Sequence, residues 1–346
     1  MKPLILKNAK ILLIGDFPND ADIRTGRPFS GRVGEQLGHM LSDAGLSYAS
    51  VSLTNVFDTM PKGGDINNWA IDRKSLKNLL ETGARWSPIP CKKGVVSPEF
   101  VVPALARLAI EIIQAAPNVI VPLGNIALAA LTGQSGITKL RGALYMAEGR
   151  KVIPSYHPAA IIRNYEWHAT AVADFMKVKL HSVSPEAWPK NRRIYLEPTV
   201  EDLLTWEAHL CRAEFLAMDI ETKHRQITCI GFSPSNAESY VIPFWDKKGN
   251  HWEDPKDEAL AYRVTRAICR SPAVKILQNG LYDLQYLAKY SIPVQGFSED
   301  TMIKHHALYP ALPKGLDYLG SLYTDEVAWK RWRVRGGDTQ ELKKDE

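Results

Sequence analysis

The chain has 346 residues, 45% hydrophobic and 23% charged, with a formal net charge of +5 and a pI near 8.8. That length suits two cores better than one, and the balance excludes a disordered or fibrous chain. No run reaches the roughly 18 apolar residues a bilayer span needs, and Lys7, Asn8 and Lys10 break the apolar start before it can serve as a signal peptide. A cytoplasmic protein with no membrane partner is expected.

In chain order, Ile11-Leu12-Leu13-Ile14 is an apolar run ending in Gly15, as in a buried parallel strand. Residues 32–44 have helical spacing, with Val33, Leu37, Met40 and Leu41 on one face. A second strand is predicted over 50–56, an amphipathic helix over 104–116, and a strand and turn over 118–124. A helix follows over 125–131, a short strand over 151–154 and a closing helix over 167–180. Repeated strand–loop–helix units imply a largely parallel sheet of three-layer α/β/α type, with ligands at the carboxyl ends of its strands. The polar stretch 63–90 fits least and reads as an insertion or lid.

Residues 182–192 are turn-rich and aperiodic, a linker between a domain over 1–181 and another over 193–346. The second half restarts with a strand at Tyr195, a helix over 200–211 and a strand over 215–220. Alternating antiparallel strands are predicted over 227–233 and 239–244, then helix 260–269, strand 274–278 and helix 282–289. The four cysteines, Cys91, Cys211, Cys229 and Cys269, form no CxxC pair and read as reduced core residues.

Four strand-end loops of the first half each offer a different chemistry. Asp16 follows the first strand, and Phe29 sits in Gly26-Arg27-Pro28-Phe29-Ser30-Gly31 before a helix. Asn55 ends the second strand. Gly124-Asn125 opens a helix that could hold a phosphate, and Pro154-Ser155-Tyr156-His157-Pro158 follows the last strand. Taken singly, each has a structural explanation: a core aromatic, a cap, a histidine before proline. Together with Thr54-Asn55 and Pro122-Leu123-Gly124-Asn125-Ile126-Ala127, their order and spacing resemble the uracil-DNA glycosylase superfamily, family 4 type, over most of residues 1–180.

The resemblance implies that Phe29 stacks on a flipped uracil and that the Asn55 amide reads its edge. It implies that His157 stabilises charge on the departing base and that Asp16 positions the attacking water. Ser155 and Arg163 would lie near phosphates, with 158–163 pressing into the duplex. Two departures stand out. The family's glutamate is Asp16 here, a carboxylate shorter by roughly 1.5 Å where about 1 Å of misplacement can cost a hundredfold. Phe17 replaces a small residue. The family's iron–sulfur cysteines are missing apart from Cys91 in the right region, so no iron–sulfur cluster is expected.

In the second half, Asp219 and Glu221 stand at i and i+2, on one face of a strand, where two acids call for Mg²⁺ or Mn²⁺. Asn279 and Asp283 follow in Gln278-Asn279-Gly280-Leu281-Tyr282-Asp283. This D-x-E and N-x-x-Y-D pairing resembles the first two motifs of DEDD (DnaQ-like) 3′–5′ exonucleases, of the proofreading type in family A DNA polymerases. The resemblance implies a ribonuclease H-like mixed sheet and two metal ions held by Asp219, Glu221 and Asp283. The third motif, Y-x-x-x-D or H-x-x-x-D, is absent: Asp338 and Asp345 follow Val334 and Glu341 at that spacing. Either the chain is the front portion of a longer protein or the nuclease is incomplete. Trp329, Lys330, Arg331, Trp332, Arg333 and Arg335 read either as a nucleic-acid contact or as a basic tail.

Two functions stay open. One is a phage or bacterial repair and replication enzyme that removes uracil from DNA and trims 3′ ends, with a polymerase domain or replication partners. In a phage it would work in the host cytoplasm. The other is a non-catalytic DNA-binding scaffold.

Overall fold

An apolar run with no polar face must be covered on both sides. Residues Ile11-Leu12-Leu13-Ile14 form β1 (Ile11–Gly15), buried at every position. The computed structural model describes residues 1–81, 88–147, 149–186, 191–246 and 249–326. β2 (Val51–Asn55) and β3 (Val119–Pro122) flank β1 and run parallel to it. β4 (Tyr145–Ala147) and β5 (Arg150–Val152) form an antiparallel hairpin, and β5 runs parallel to β3. The order is β2-β1-β3-β5-β4. β1 and β2 have no exposed position, so helices cover both sheet faces: the expected three layers.

After α1 (Asp20–Thr25), which adds no residue to the core, the covering helices are α2 (Gly31–Asp43), α3 (Pro98–Ala115), α4 (Asn125–Thr132), α5 (Pro158–Arg163) and α6 (His168–His181). Leu37, Met40 and Leu41 of α2 and Phe175 and Val178 of α6 enter one apolar core with the strands. Because β1, β2, β3 and β5 are parallel, the loops after them leave from one edge of the sheet.

The polar stretch before α3 is more than a lid. Gly94–Val96 pairs antiparallel with Ala70–Ile71 and with Pro90–Cys91 as a small sheet. Trp69 fastens it, stacked 4.5 Å from Phe100 and edge-on 5.1 Å from Phe57.

The other sheet contains β6 (Arg193–Tyr195), β7 (Phe215–Lys223), β8 (Gln226–Ser235), β9 (Glu238–Pro243), β10 (Val274–Leu277) and β11 (Phe297–Asp300). Its order is β11-β10-β7-β8-β9-β6. β7, β8 and β9 form an antiparallel meander, and β10 and β11 add in parallel on the other side of β7. A meander followed by two parallel strands is the ribonuclease H-like arrangement. α7 (Val200–Leu210) and α8 (Pro255–Arg270) contribute Leu203, Trp206, Val264 and Ile268 to its core. α9 (Leu281–Lys289) and α10 (Thr301–Leu308) follow β10 and β11.

The chain divides into Met1–Ala187 with Asp317–Glu346, and Trp188–Leu316. The first crossing falls inside the turn-rich stretch 182–192. The second differs from the expected domain over 193–346. From Asp317 the chain, in α11 (Leu316–Tyr323), groups with the first unit. Polar groups hold it there: Tyr318 Oη and Thr170 Oγ1 lie 2.6 Å apart, and Ser321 Oγ accepts from Arg141 Nη1 at 3.0 Å. The Trp329–Arg335 cluster and the late aspartates lie outside the described residues. No described helix is long and apolar enough to cross a membrane.

Candidate active site

Gly15 ends β1. A methyl group on it would lie 2.4 Å from Asn55 Oδ1 and 2.6 Å from Phe29 Cζ, so these two side chains meet over Gly15. Asn55 is 4% exposed, and its Nδ2 is buried with no hydrogen-bond partner among the described residues. Its strand end is clamped. Arg107 Nη2 donates to the Asn55 and Val56 carbonyls at 2.8 and 2.7 Å. Arg107 also pairs with Glu111, which accepts from Thr54 Oγ1 at 2.6 Å.

Phe29 is buried and its backbone sits at φ 55°, uncommon for any residue with a β-carbon. Asp22 holds this conformation. Its two oxygens accept from the N–H groups of Ser30 (2.6 Å) and Asn19 (3.0 Å). Gly34 makes room, since a methyl there would lie 1.9 Å from the Phe29 carbonyl oxygen. The Phe29 ring is 5.9 Å from the His157 ring, tilted by 32°.

His157 caps α5, and its Nδ1 accepts from the Ala159 N–H at 3.1 Å. That bond assigns the neutral ring's proton to Nε2. Burial, then the positive charge of Arg163, pushes the imidazole down to about 4. The ring is a neutral donor at physiological pH.

Asp16 and His157 approach each other across Gly124. A methyl on Gly124 would lie 3.5 and 3.6 Å from the Asp16 oxygens and 3.3 Å from His157 Cβ. Its φ of 91° favours glycine here. Asp16 Oδ1 is buried without a partner among the described residues. Burial pushes the carboxyl up to about 7, against a hydrogen bond from the Ala127 N–H.

Two other expected contacts are used differently. The Asn125 side-chain Oδ1 accepts from the N–H groups of Gly136 (3.0 Å) and Ile137 (2.8 Å), so it ties a turn instead of facing a ligand. Ser155 is fully buried and its Oγ donates to Asp174 at 2.8 Å, which removes it from any phosphate. Residues 158–163 are helix α5, with Pro158 and Ile161 buried and Arg163 exposed at its end.

In the second unit β7 alternates as expected. Met218 and Ile220 face the core, while Asp219 and Glu221 are exposed on the opposite face. Both line a cavity of about 440 Å³ with Cys229, Gly231, Ile276 and Gln278. Asp283 is 3% exposed, and its Oδ1 accepts from the Ile220 N–H at 3.0 Å. Burial pushes it up to about 6; the Ile220 bond opposes this and the charges of Asp219 and Asp300 add to it. Asp300 accepts from the N–H groups of Asn279, Gly280, Met302 and Ile303, a structural hub. Asn279 is exposed at φ 57°.

A metal needs its carboxylates gathered. Among the described residues no group of three or more His, Cys, Asp or Glu is close enough to hold one. Asp283 lies near enough to Asp219 to feel its charge, and one of its oxygens accepts from the backbone of the strand that carries Asp219 and Glu221.

Sequence reasoning missed three supports: Asp22, the Arg107–Glu111 pair and Asp174. The pair has the i, i+4 spacing of an ordinary surface ion pair. Asp174 carried a signal, an acid beside Ala171, Phe175 and Val178 on the apolar face of α6.

A sequence profile of the uracil DNA glycosylase superfamily matches residues 3–177. The chain belongs to that superfamily. It is 32% identical to the type-4 uracil-DNA glycosylase of Thermotoga maritima over 45% of this chain and 68% of that protein. It is also 22% identical to the DNA polymerase of Bacillus phage SP01, over 96% of this chain but only 35% of that protein's length. Among solved structures, Escherichia coli RNase D is similar over 40% of this chain and 35% of that one, with a TM-score of 0.31 and 19% identity.

Proposed function

We propose that the first unit excises uracil from DNA by hydrolysing the N-glycosidic bond. The base leaves the stack and enters the pocket over Gly15. Phe29 lies against its face, and the Asn55 amide takes its edge, Nδ2 donating to O4 and Oδ1 accepting from N3–H. Water attacks C1′ as the N1–C1′ bond breaks, and the electron pair moves onto the base. His157 Nε2–H donates to O2 as negative charge develops there. Asp16 orients the water and accepts its proton once ionised. The observation that carries this reading is the buried, unpartnered Asn55 Nδ2 beside Phe29, whose ring lies 5.9 Å from that of His157. The test is a strand-cleavage assay. Labelled DNA with one uracil is incubated with the chain and then treated with alkali. Breaks at uracil that disappear in Asn55→Ala support the reading; no breaks at enzyme excess refute it.

For the second unit we propose contact with a DNA 3′ end at the cavity beside Asp219 and Glu221. Metal-dependent 3′–5′ trimming requires a further acidic ligand beyond those gathered here. The orientation of Asp283 favours the alternative, a DNA-holding scaffold. The phage relative suggests that both units serve a polymerase in the host cytoplasm. Mg²⁺-dependent shortening of a 3′-labelled strand, lost in Asp219→Ala, would restore the nuclease reading.

A further inference from the structure

The segment that returns to the first unit after the second forms part of a buried polar network. Arg141 is 1% exposed and Asp174 is 0% exposed. Arg141 Nε donates to both Asp174 oxygens, at 3.1 and 2.8 Å, and its Nη2 makes a further bond there. The remaining nitrogen, Nη1, donates to Ser321 Oγ at 3.0 Å. Asp174 in turn accepts from Ser155, two residues before His157.

A second link runs alongside. The Gly142 N–H donates to the Pro154 carbonyl at 2.8 Å. A methyl on Gly142 would lie 2.5 Å from Asp174 Oδ1 and 2.6 Å from the Ser321 carbonyl oxygen, so that turn is held between the two. Lys177 Nζ donates to the carbonyls of Gly142 (2.8 Å) and Ser321 (2.5 Å). Ser321 lies outside residues 3–177, which the superfamily profile matches.

We propose that Asp317–Asp325 is a positioning element of the excision site, holding the His157 loop through Ser321, Arg141, Asp174 and Ser155. This rests on the excision reading for its kinetic consequence only. A buried guanidinium that loses one partner cannot replace it with water, so the network must shift. The loop it would shift carries the Ser155 carbonyl, which accepts from Gly124 N–H at 3.0 Å, and the Ala159 N–H bond to His157. The surroundings of Asp16 and His157 would then move together.

The test uses the full chain. Amide hydrogen exchange without substrate reads Gly124, Ser155 and Ala159, and single-turnover kinetics read excision. Ser321→Ala is expected to speed exchange at these amides by about tenfold and to lower kcat by a similar factor, with KM kept. Ser321→Thr, which keeps the hydroxyl, should behave as wild type. A merely structural helix would open its own amides and leave those three unchanged, which would overturn the proposal. Ser321→Trp gives a larger displacement if it folds; the Ala and Thr pair decides if it does not. A wild-type chain that excises nothing would refute the excision reading, while the exchange result still decides the coupling.

Discussion

Each unit has an aspartate whose carboxyl burial has pushed upward, and the two are surrounded quite differently. Asp16 stands at a strand end with a buried, unpartnered oxygen, facing a neutral histidine across a glycine. Asp283 is turned to the Ile220 N–H behind a strand whose two other acids are exposed. The first arrangement leaves buried polar atoms of Asp16 and Asn55 without a protein partner, a cost a native fold bears where a ligand will supply one. The second satisfies its buried acid internally and leaves its reactive face open. A motif can thus be complete in residue type and still differ in readiness.

The comparison breaks most readily at the donors Asn55 and His157. Asn55→Ala and His157→Ala should each lower the excision rate by about 10²–10³, measured in single turnover. If both are mild, the pocket is not preorganised. Gly15→Ala comes next. The added methyl displaces Asn55 and Phe29 together, and a shift of about 1 Å should cost about a hundredfold. A loss confined to KM would show that the pocket only binds.

The pH dependence sharpens the contrast. Asp16 must be ionised to accept a proton, so excision should rise about tenfold per unit as pH climbs toward 7 and level off above it. His157 stays neutral throughout. Stability runs the other way. A carboxyl with a raised folded pKa binds its proton more tightly in the native state, so stability falls between pH 4 and 7. Asp16→Asn should therefore lose excision yet melt higher than wild type at pH 8. A lower melting point would mean that Asp16 is held by bonds to its charged form.

The smallest effect belongs to the second unit. Asn at 283 can still accept from Ile220 and is never charged. Asp283→Asn should stabilise the chain above pH 6 by about 1–2 kcal/mol, read by denaturant midpoint. Destabilisation would place Asp283 in a charged cluster and support the metal reading.

Much of the first site was legible because parallel strands deliver their following loops to one edge. Once Ile11–Ile14 and Val119–Pro122 read as buried strands, Asp16, Asn55 and His157 had to emerge together. The D-x-E pair was legible for a similar reason, since strand alternation puts Asp219 and Glu221 on one face. What sequence could not give is where a polar side chain spends its hydrogen bonds. Ser155 and Asn125 stand in motif positions but serve Asp174 and a turn. Nor does any local pattern reveal that a helix beginning at Leu316 supplies a partner for Arg141, 180 residues earlier. β5 was read as the short strand over 151–154, but its partner β4 was hidden by its length, three residues being too few for a period.

Release of free uracil is the most direct test of the central claim. DNA bearing a single labelled uracil is incubated at pH 8 with excess chain, and the freed base is measured by chromatography beside Asn55→Ala. The geometry predicts free uracil from wild type and roughly a hundredfold less from the variant. No free base from either, with DNA still bound, would contradict it and leave a DNA-holding module.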